Sequence, residues 1–226
     1  AKSSREPSER ATSQLSPYLH FGHISALEIA LAVREYAAEH KLIADEFLSS
    51  GVIYSTRHRG KVLDQVEASL GGALVSPKIV ILVNEYTASA AELVAGALQD
   101  HERCTVVGSL TFGKGSVQTI FELPGGSGLR LTTMRYYTPK GRAIQAQGID
   151  PDIVIRPAKT SAVVRERDLQ GHLSAEIGQG TRPGQVVLQA PEGDALPTLR
   201  IADIPPDPSK GKDFALAKAF ETLVAK

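Results

Sequence analysis

Apolar positions along the chain change rhythm several times. From Ser25 to Leu48, SALEIALAVREYAAEHKLIADEFL repeats its apolar residues every third or fourth position behind a Ser25/Glu28 capping box, and this pattern predicts a helix over 25–48. GVIYSTRHRG (51–60) reads as a short strand leaving through a basic turn, and KVLDQVEASLGGALVS after it fits neither period. KIVILVN (78–84) is an unbroken β-branched run of the kind found in strands covered on both faces. A helix from about Thr87 to Asp100 and a strand at CTVVG (104–108) follow it, which together make a βαβ-like unit. Three more strands are predicted at SVQTIFEL, LRLTTMRYY and DIVIR, with PGGSG between the first two as a hairpin turn. Residues 159–209 are rich in Pro, Gly and charge with weak periodicity, and FALAKAFETLVA closes the chain as a short helix. The first eleven residues are polar and read as a frayed lead-in.

Composition narrows the picture only a little. With 226 residues, 42% hydrophobic and 22% charged, the chain can bury one good core or two small ones. Its 25 basic and 25 acidic residues cancel, which gives no electrostatic reason to expect nucleic acid or an anionic membrane as partner. The single Cys104 excludes an internal disulfide and leaves the compartment open. No apolar run approaches the roughly 20 residues of a membrane span, and AKSSREPSER lacks the apolar core of a signal peptide. The six histidines are scattered without metal-ligand spacing, so no metal or other cofactor is expected. Arg57, His58, Arg59 and Lys61 form a short basic cluster that reads as a solvated turn, and Met134, Tyr136 and Tyr137 read as strand packing.

Chemistry enters at TASAAELVAGALQDHERCTVVGSLTFGKG (87–115). Ser89 heads the apolar helix, and Lys114 lies between two glycines beyond the next strand. A serine hydroxyl is a poor nucleophile without a base in reach. A lysine serves as that base only when neutral, a state favoured by desolvation, and burial between glycines that let backbone close in would supply it. The first N–H groups of the helix would point at a developing oxyanion. A Ser/Lys dyad and a bland pairing of a helix N-terminal serine with a solvated turn lysine both fit the spacing.

The residues from Val80 to Ile155, within about 44–156, closely resemble the carboxy-terminal processing peptidases, serine peptidases of the S41 type that use a Ser/Lys dyad. RERDLQGHLSAE near 165–176 carries a weaker echo of them. The resemblance makes Ser89 the nucleophile, Lys114 of Thr-Phe-Gly-Lys-Gly the base, Gln118 a residue that helps hold the lysine, and the backbone N–H of Ala90 an oxyanion donor. It implies a partial ClpP/crotonase-like α/β core with a mixed sheet, a protein or peptide substrate, and a family commonly exported. Thr87 and Ala91 stand where the family has serines. The family's Asp-Leu-Arg-Asn-Asn-Pro-Gly-Gly-like segment, which supplies a second oxyanion donor, and its PDZ domain are not found upstream of ADEFLSSGVIYSTR; losing one such donor costs about 100- to 1000-fold in turnover.

TSQLSPYLHFGHISALEIALAVREYAAEHKLIADEF (12–47) resembles instead part of the flavin-binding domain of DNA photolyases, which would make Thr12, Ser13 and Ser16 FAD-phosphate contacts. The chain has no tryptophan for that family's electron transfer. The expected organisation is therefore a photolyase-like helical fragment (1–48), a truncated peptidase core (49–158) and a C-terminal extension (159–226), joined as a fusion at IADEFL. Three functions follow: a C-terminal-processing serine endopeptidase, a non-catalytic scaffold that takes a peptide by strand addition, and a flavin- or DNA-binding fragment. Oligomeric state is not fixed by the sequence.

Overall fold

The structure is a computed structural model that describes residues 41–124, 127–156, 163–175, 185–191 and 207–225. Most of the helix expected at 25–48, and with it Thr12, Ser13 and Ser16, lies outside the described residues; its described end is α1 (Lys41–Asp45). The fold is mixed α/β, with parallel and antiparallel pairing divided between two sheets.

The first sheet is antiparallel. β1 (Val52–His58) and β2 (Lys61–Glu67) form a hairpin whose turn residues Arg59 and Gly60 both take positive φ, as a two-residue turn of matching twist requires. β2 is the stretch in which no period was legible: all but one of its residues are exposed, so no buried face imposes alternation. β5 (Ser116–Glu122) and β6 (Gly128–Tyr137) form a second hairpin that joins β1 through β6, giving the order β2-β1-β6-β5.

The second sheet is parallel: β3 (Val80–Val83), β4 (Thr105–Gly108), β7 (Ile153–Arg156) and β8 (Val186–Gln189), in that order. β8 lies within the stretch 159–209, where the periodicity is weak. It pairs along β7 from Ile153↔Val186 to Arg156↔Gln189, and its side chains are largely exposed, which removes the periodic signal an amphipathic strand would carry. The helix α2 (Ala90–Asp100) crosses from β3 to β4 and packs between the sheets, while α3 (Phe214–Val224) covers the opposite face of β3 and β4.

This arrangement explains the unbroken apolar run of β3. Ile81 and Val83 pack towards α2 with Leu93, Ala95 and Val106, whereas Val80 and Leu82 pack towards Phe214, Ala215 and Ala219 of α3. On its other side α2 presents Ala97 and Leu98 to Ile53 of β1 and to Ala44 and Leu48. Leu93 and Leu98 are fully buried, and each such side chain contributes about 1.5–3 kcal/mol relative to exposure. Cys104 packs against both of these clusters as a small apolar group. The carboxyl end of α2 is anchored by polar contacts: Asp100 Oδ1 accepts from Arg142 Nη2 at 2.5 Å, and its Oδ2 accepts from the Lys140 N–H at 2.8 Å.

In the basic cluster His58, Arg59 and Lys61 are exposed and Arg57 is half-buried. The Arg57 guanidinium lies 4.4 Å from the ring centroid of Tyr137, and a ring nitrogen of His58 donates to the Thr133 carbonyl oxygen at 2.8 Å. Tyr136 stacks edge-on against Tyr54, ring centroids 5.3 Å apart.

Candidate active site

β3 and β4 are neighbours in a parallel sheet, so the loops leaving their carboxyl ends emerge side by side, where open α/β sheets place their sites. One loop carries Ser89 and the other Lys114. In the first, Asn84 and Thr87 close a tight turn: the Asn84 N–H donates to Thr87 Oγ1 at 3.0 Å and the Tyr86 N–H to Asn84 Oδ1 at 3.0 Å. The chain then enters α2 through Ser89 at φ 57° and ψ −117°, a left-handed conformation that a residue with a Cβ adopts only when its surroundings enforce it. That bend is why the helix begins at Ala90 and not near Thr87.

Glu92 provides the enforcement. Its side chain is 0% exposed, and its two oxygens receive four donors. Oε1 accepts from Thr111 Oγ1 at 2.5 Å and the Gly113 N–H at 2.7 Å; Oε2 accepts from the Ser89 N–H at 2.8 Å and the Lys114 N–H at 2.9 Å. A single oxygen atom therefore holds the backbone of both Ser89 and Lys114. A further bond laces the two loops, from the Phe112 N–H to the Thr87 carbonyl at 2.9 Å. Burial pushes the Glu92 carboxyl above its ordinary range, opposed by the Thr111 hydroxyl and the Gly113, Lys114 and Ser89 N–H groups.

Ser89 and Ala90 are half-buried. Among the described residues the Ala90 N–H has no backbone acceptor, as the first turn of a helix leaves it. The expectation that Lys114 is buried between its glycines is corrected. Gly113 and Gly115 are buried, but Lys114 itself is exposed. The reason is close backbone packing: a Cβ on Gly115 would lie 2.5 Å from the Gln145 nitrogen, so the glycines turn inward against the 144–148 segment and the lysine between them faces out. Gln118 is exposed on β5 opposite Thr132, and among the described residues no hydrogen bond joins it to Lys114.

Glu92 was missed as a site residue, although Ser89-Ala90-Ala91-Glu92 has capping-box spacing and that signal could have found it. Thr111 opens the Thr-Phe-Gly-Lys-Gly motif, whereas Gln145 carries no local signal. Among the described residues no cluster of three or more His, Cys, Asp or Glu is placed to hold a metal, and no helix is long and apolar enough to cross a membrane.

The sequence pattern of peptidase family S41 matches residues 36–155. A carboxy-terminal-processing protease of Bartonella bacilliformis is 42% identical over 186 residues, covering 74% of this chain and 43% of that protein. A carboxyl-terminal-processing protease of Synechocystis sp. is 42% identical over 158 residues, covering 69% and 35%. Among solved structures, a photosystem II D1 C-terminal processing protease shares 37% identity over 50% of this chain and 29% of that one, at a TM-score of 0.49. The chain thus spans less than half the length of these relatives. With its family pattern running through both loops that Glu92 joins, this chain belongs to peptidase family S41.

Proposed function

We propose that the chain carries the catalytic core of a serine endopeptidase of the C-terminal-processing type, with Ser89 as nucleophile and Lys114 as general base. The observation that carries this reading is the shared Glu92 oxygen, which sets the strained serine and the lysine on one hub at the ends of adjacent parallel strands. In the acylation step the Ser89 oxygen bonds to the scissile carbonyl carbon and its proton passes to the uncharged Lys114 amine. The tetrahedral oxyanion takes the Ala90 N–H. The C–N bond then breaks and the lysine hands its proton to the leaving amine, after which water releases the acyl group. Gln118, four residues beyond Lys114, is proposed to approach the lysine amine once substrate is bound.

A fluorophosphonate probe tests the proposal. The wild-type chain is expected to be labelled, with labelling falling to background in Ser89→Ala and in Lys114→Ala. A folded wild-type chain that takes no label overturns the enzymatic reading. The non-catalytic alternative draws on β5, an edge strand with Ile120 and Phe121 exposed, to which a peptide could add as a further strand. The photolyase-like stretch, about residues 10–48, gives a third and separate proposal of flavin binding, and a chain that stays colourless after FAD addition removes it.

A further inference from the structure

Residues 163–175 bond to the loop that carries Lys114, and the contacts converge on one side chain. Gln145 is 1% exposed and makes three hydrogen bonds, using both amide hydrogens: Oε1 accepts from the Gly115 N–H at 3.0 Å, and Nε2 donates to Glu166 Oε1 at 2.9 Å and to the Leu173 carbonyl at 3.2 Å. The Glu166 N–H donates in turn to the Phe112 carbonyl at 3.2 Å. Arg165, next to it, lies in the field of Glu85, whose Oε2 accepts from the Ser109 hydroxyl at 2.8 Å. Glu85 belongs to the loop that leads to Ser89, and Phe112 and Gly115 flank Lys114. The 3-10 turn Glu166–Asp168, stiffened by the Arg165 N–H to Asp168 Oδ2 bond at 2.9 Å, is therefore strapped to the loop that carries Lys114.

We infer that Gln145 and Glu166 form a latch that positions Lys114 against Ser89, making the 163–175 segment a working part of the site. The physical case is one of tolerance. Glu92 fixes the Gly113 and Lys114 N–H groups, the Ala146 and Tyr136 N–H groups hold the Gly113 and Gly115 carbonyls at 2.8 Å each, and the Gly115 N–H, in a stretch that is half glycine, needs a fixed point of its own. Gln145 supplies this point one residue beyond the lysine, and Glu166 keeps the amide from rotating away. Misplacement of a catalytic group by about 1 Å costs on the order of 100-fold. This inference rests on the peptidase reading for its catalytic consequence, but the latch has a readout of its own.

The test uses Gln145→Glu and the double variant Gln145→Glu/Glu166→Gln in the full chain. The single variant sets two carboxylates against each other, and the double variant restores an amide-to-carboxylate bond in the opposite sense. Labelling by the fluorophosphonate probe is expected to fall about 10- to 100-fold in the single variant and to return to within a few-fold of wild type in the double. Amide hydrogen exchange at Glu166 and Lys114 is expected to quicken in the single variant and slow again in the double. If Glu166 exchange quickens while Lys114 exchange and labelling stay at wild-type values, the segment is mere covering and the latch is overturned. If wild type takes no label, the peptidase reading fails alone, and coupled exchange at the two amides still decides the latch.

Discussion

A Glu92→Gln variant is expected to lose roughly 2–6 kcal/mol of folding stability, with Ser89 labelling lost alongside, because two of four buried donors are left facing an amide NH2 at about 1–3 kcal/mol each. The carboxylate presents two oxygens to the Thr111 hydroxyl and the Ser89, Gly113 and Lys114 N–H groups. Glutamine has one oxygen to offer, so whichever way its amide turns, either the Ser89/Lys114 pair or the Thr111/Gly113 pair loses its acceptor. In one orientation the loops that carry Ser89 and Lys114 are released directly. In the other, Thr111 is freed, and its hydroxyl is also the acceptor of the Ile149 N–H at 2.7 Å. The variant should differ in pH dependence too. The folded carboxyl has a value raised above its ordinary 4.5, so between those two values the native state binds more protons than the unfolded chain. Wild-type stability therefore contains a component present in full below 4.5 that declines as pH rises through the raised value. Glutamine does not titrate, and that component of the slope should vanish. Urea unfolding from pH 4 to 8 measures both effects; a variant within about 0.5 kcal/mol of wild type, or one that keeps the slope, would rule out the hub.

The same residue shows what the sequence made legible. β3, α2 and β4 could be read because each has a dense local pattern: an apolar run covered on both faces, a helical period and a short β-branched run. Ser89 and Lys114 were singled out by motif words that sit at the ends of those elements. The hub was harder to see. Glu92 meets Gly113 and Lys114 across some twenty residues of chain, and Gln145 meets Glu166 across another twenty-one, separations over which no periodicity carries information. The exposure of Lys114 was hidden for a related reason. Flanking glycines announce close backbone packing, but which way the intervening side chain turns depends on the 144–148 segment that packs against them. β2 and β8 escaped because exposed strands lack a buried face to write alternation into the sequence.

Gly108→Ala should be the most damaging small substitution in the fold, costing at least about 4 kcal/mol and depriving the chain of both site loops at once. β3 and β4 pair in register up to Val83↔Gly108, the point from which the Ser89 and Lys114 loops depart. Gly108 has φ +137°, and a Cβ built on it would lie 1.8 Å from the Val83 carbonyl oxygen, where even the close Cα–H···O contacts of sheets need about 3.3–3.6 Å. The obstacle is backbone, so no rotamer change relieves it; the strands must part, and the Ser109 N–H to Val83 carbonyl bond of 3.1 Å parts with them. Gly60→Ala separates this steric cost from conformational strain. Gly60 also has positive φ, at +77°, but an added Cβ there meets nothing within 4 Å, so its alanine variant should lose only about 1–2 kcal/mol and keep the site. Denaturation midpoints and probe labelling of the two variants side by side measure the difference. Equal losses would mean that dihedral strain, not the approach of β3 to β4, is what the glycine at 108 relieves, and the two loops would then owe their juxtaposition to Glu92 and the Phe112 N–H to Thr87 carbonyl bond.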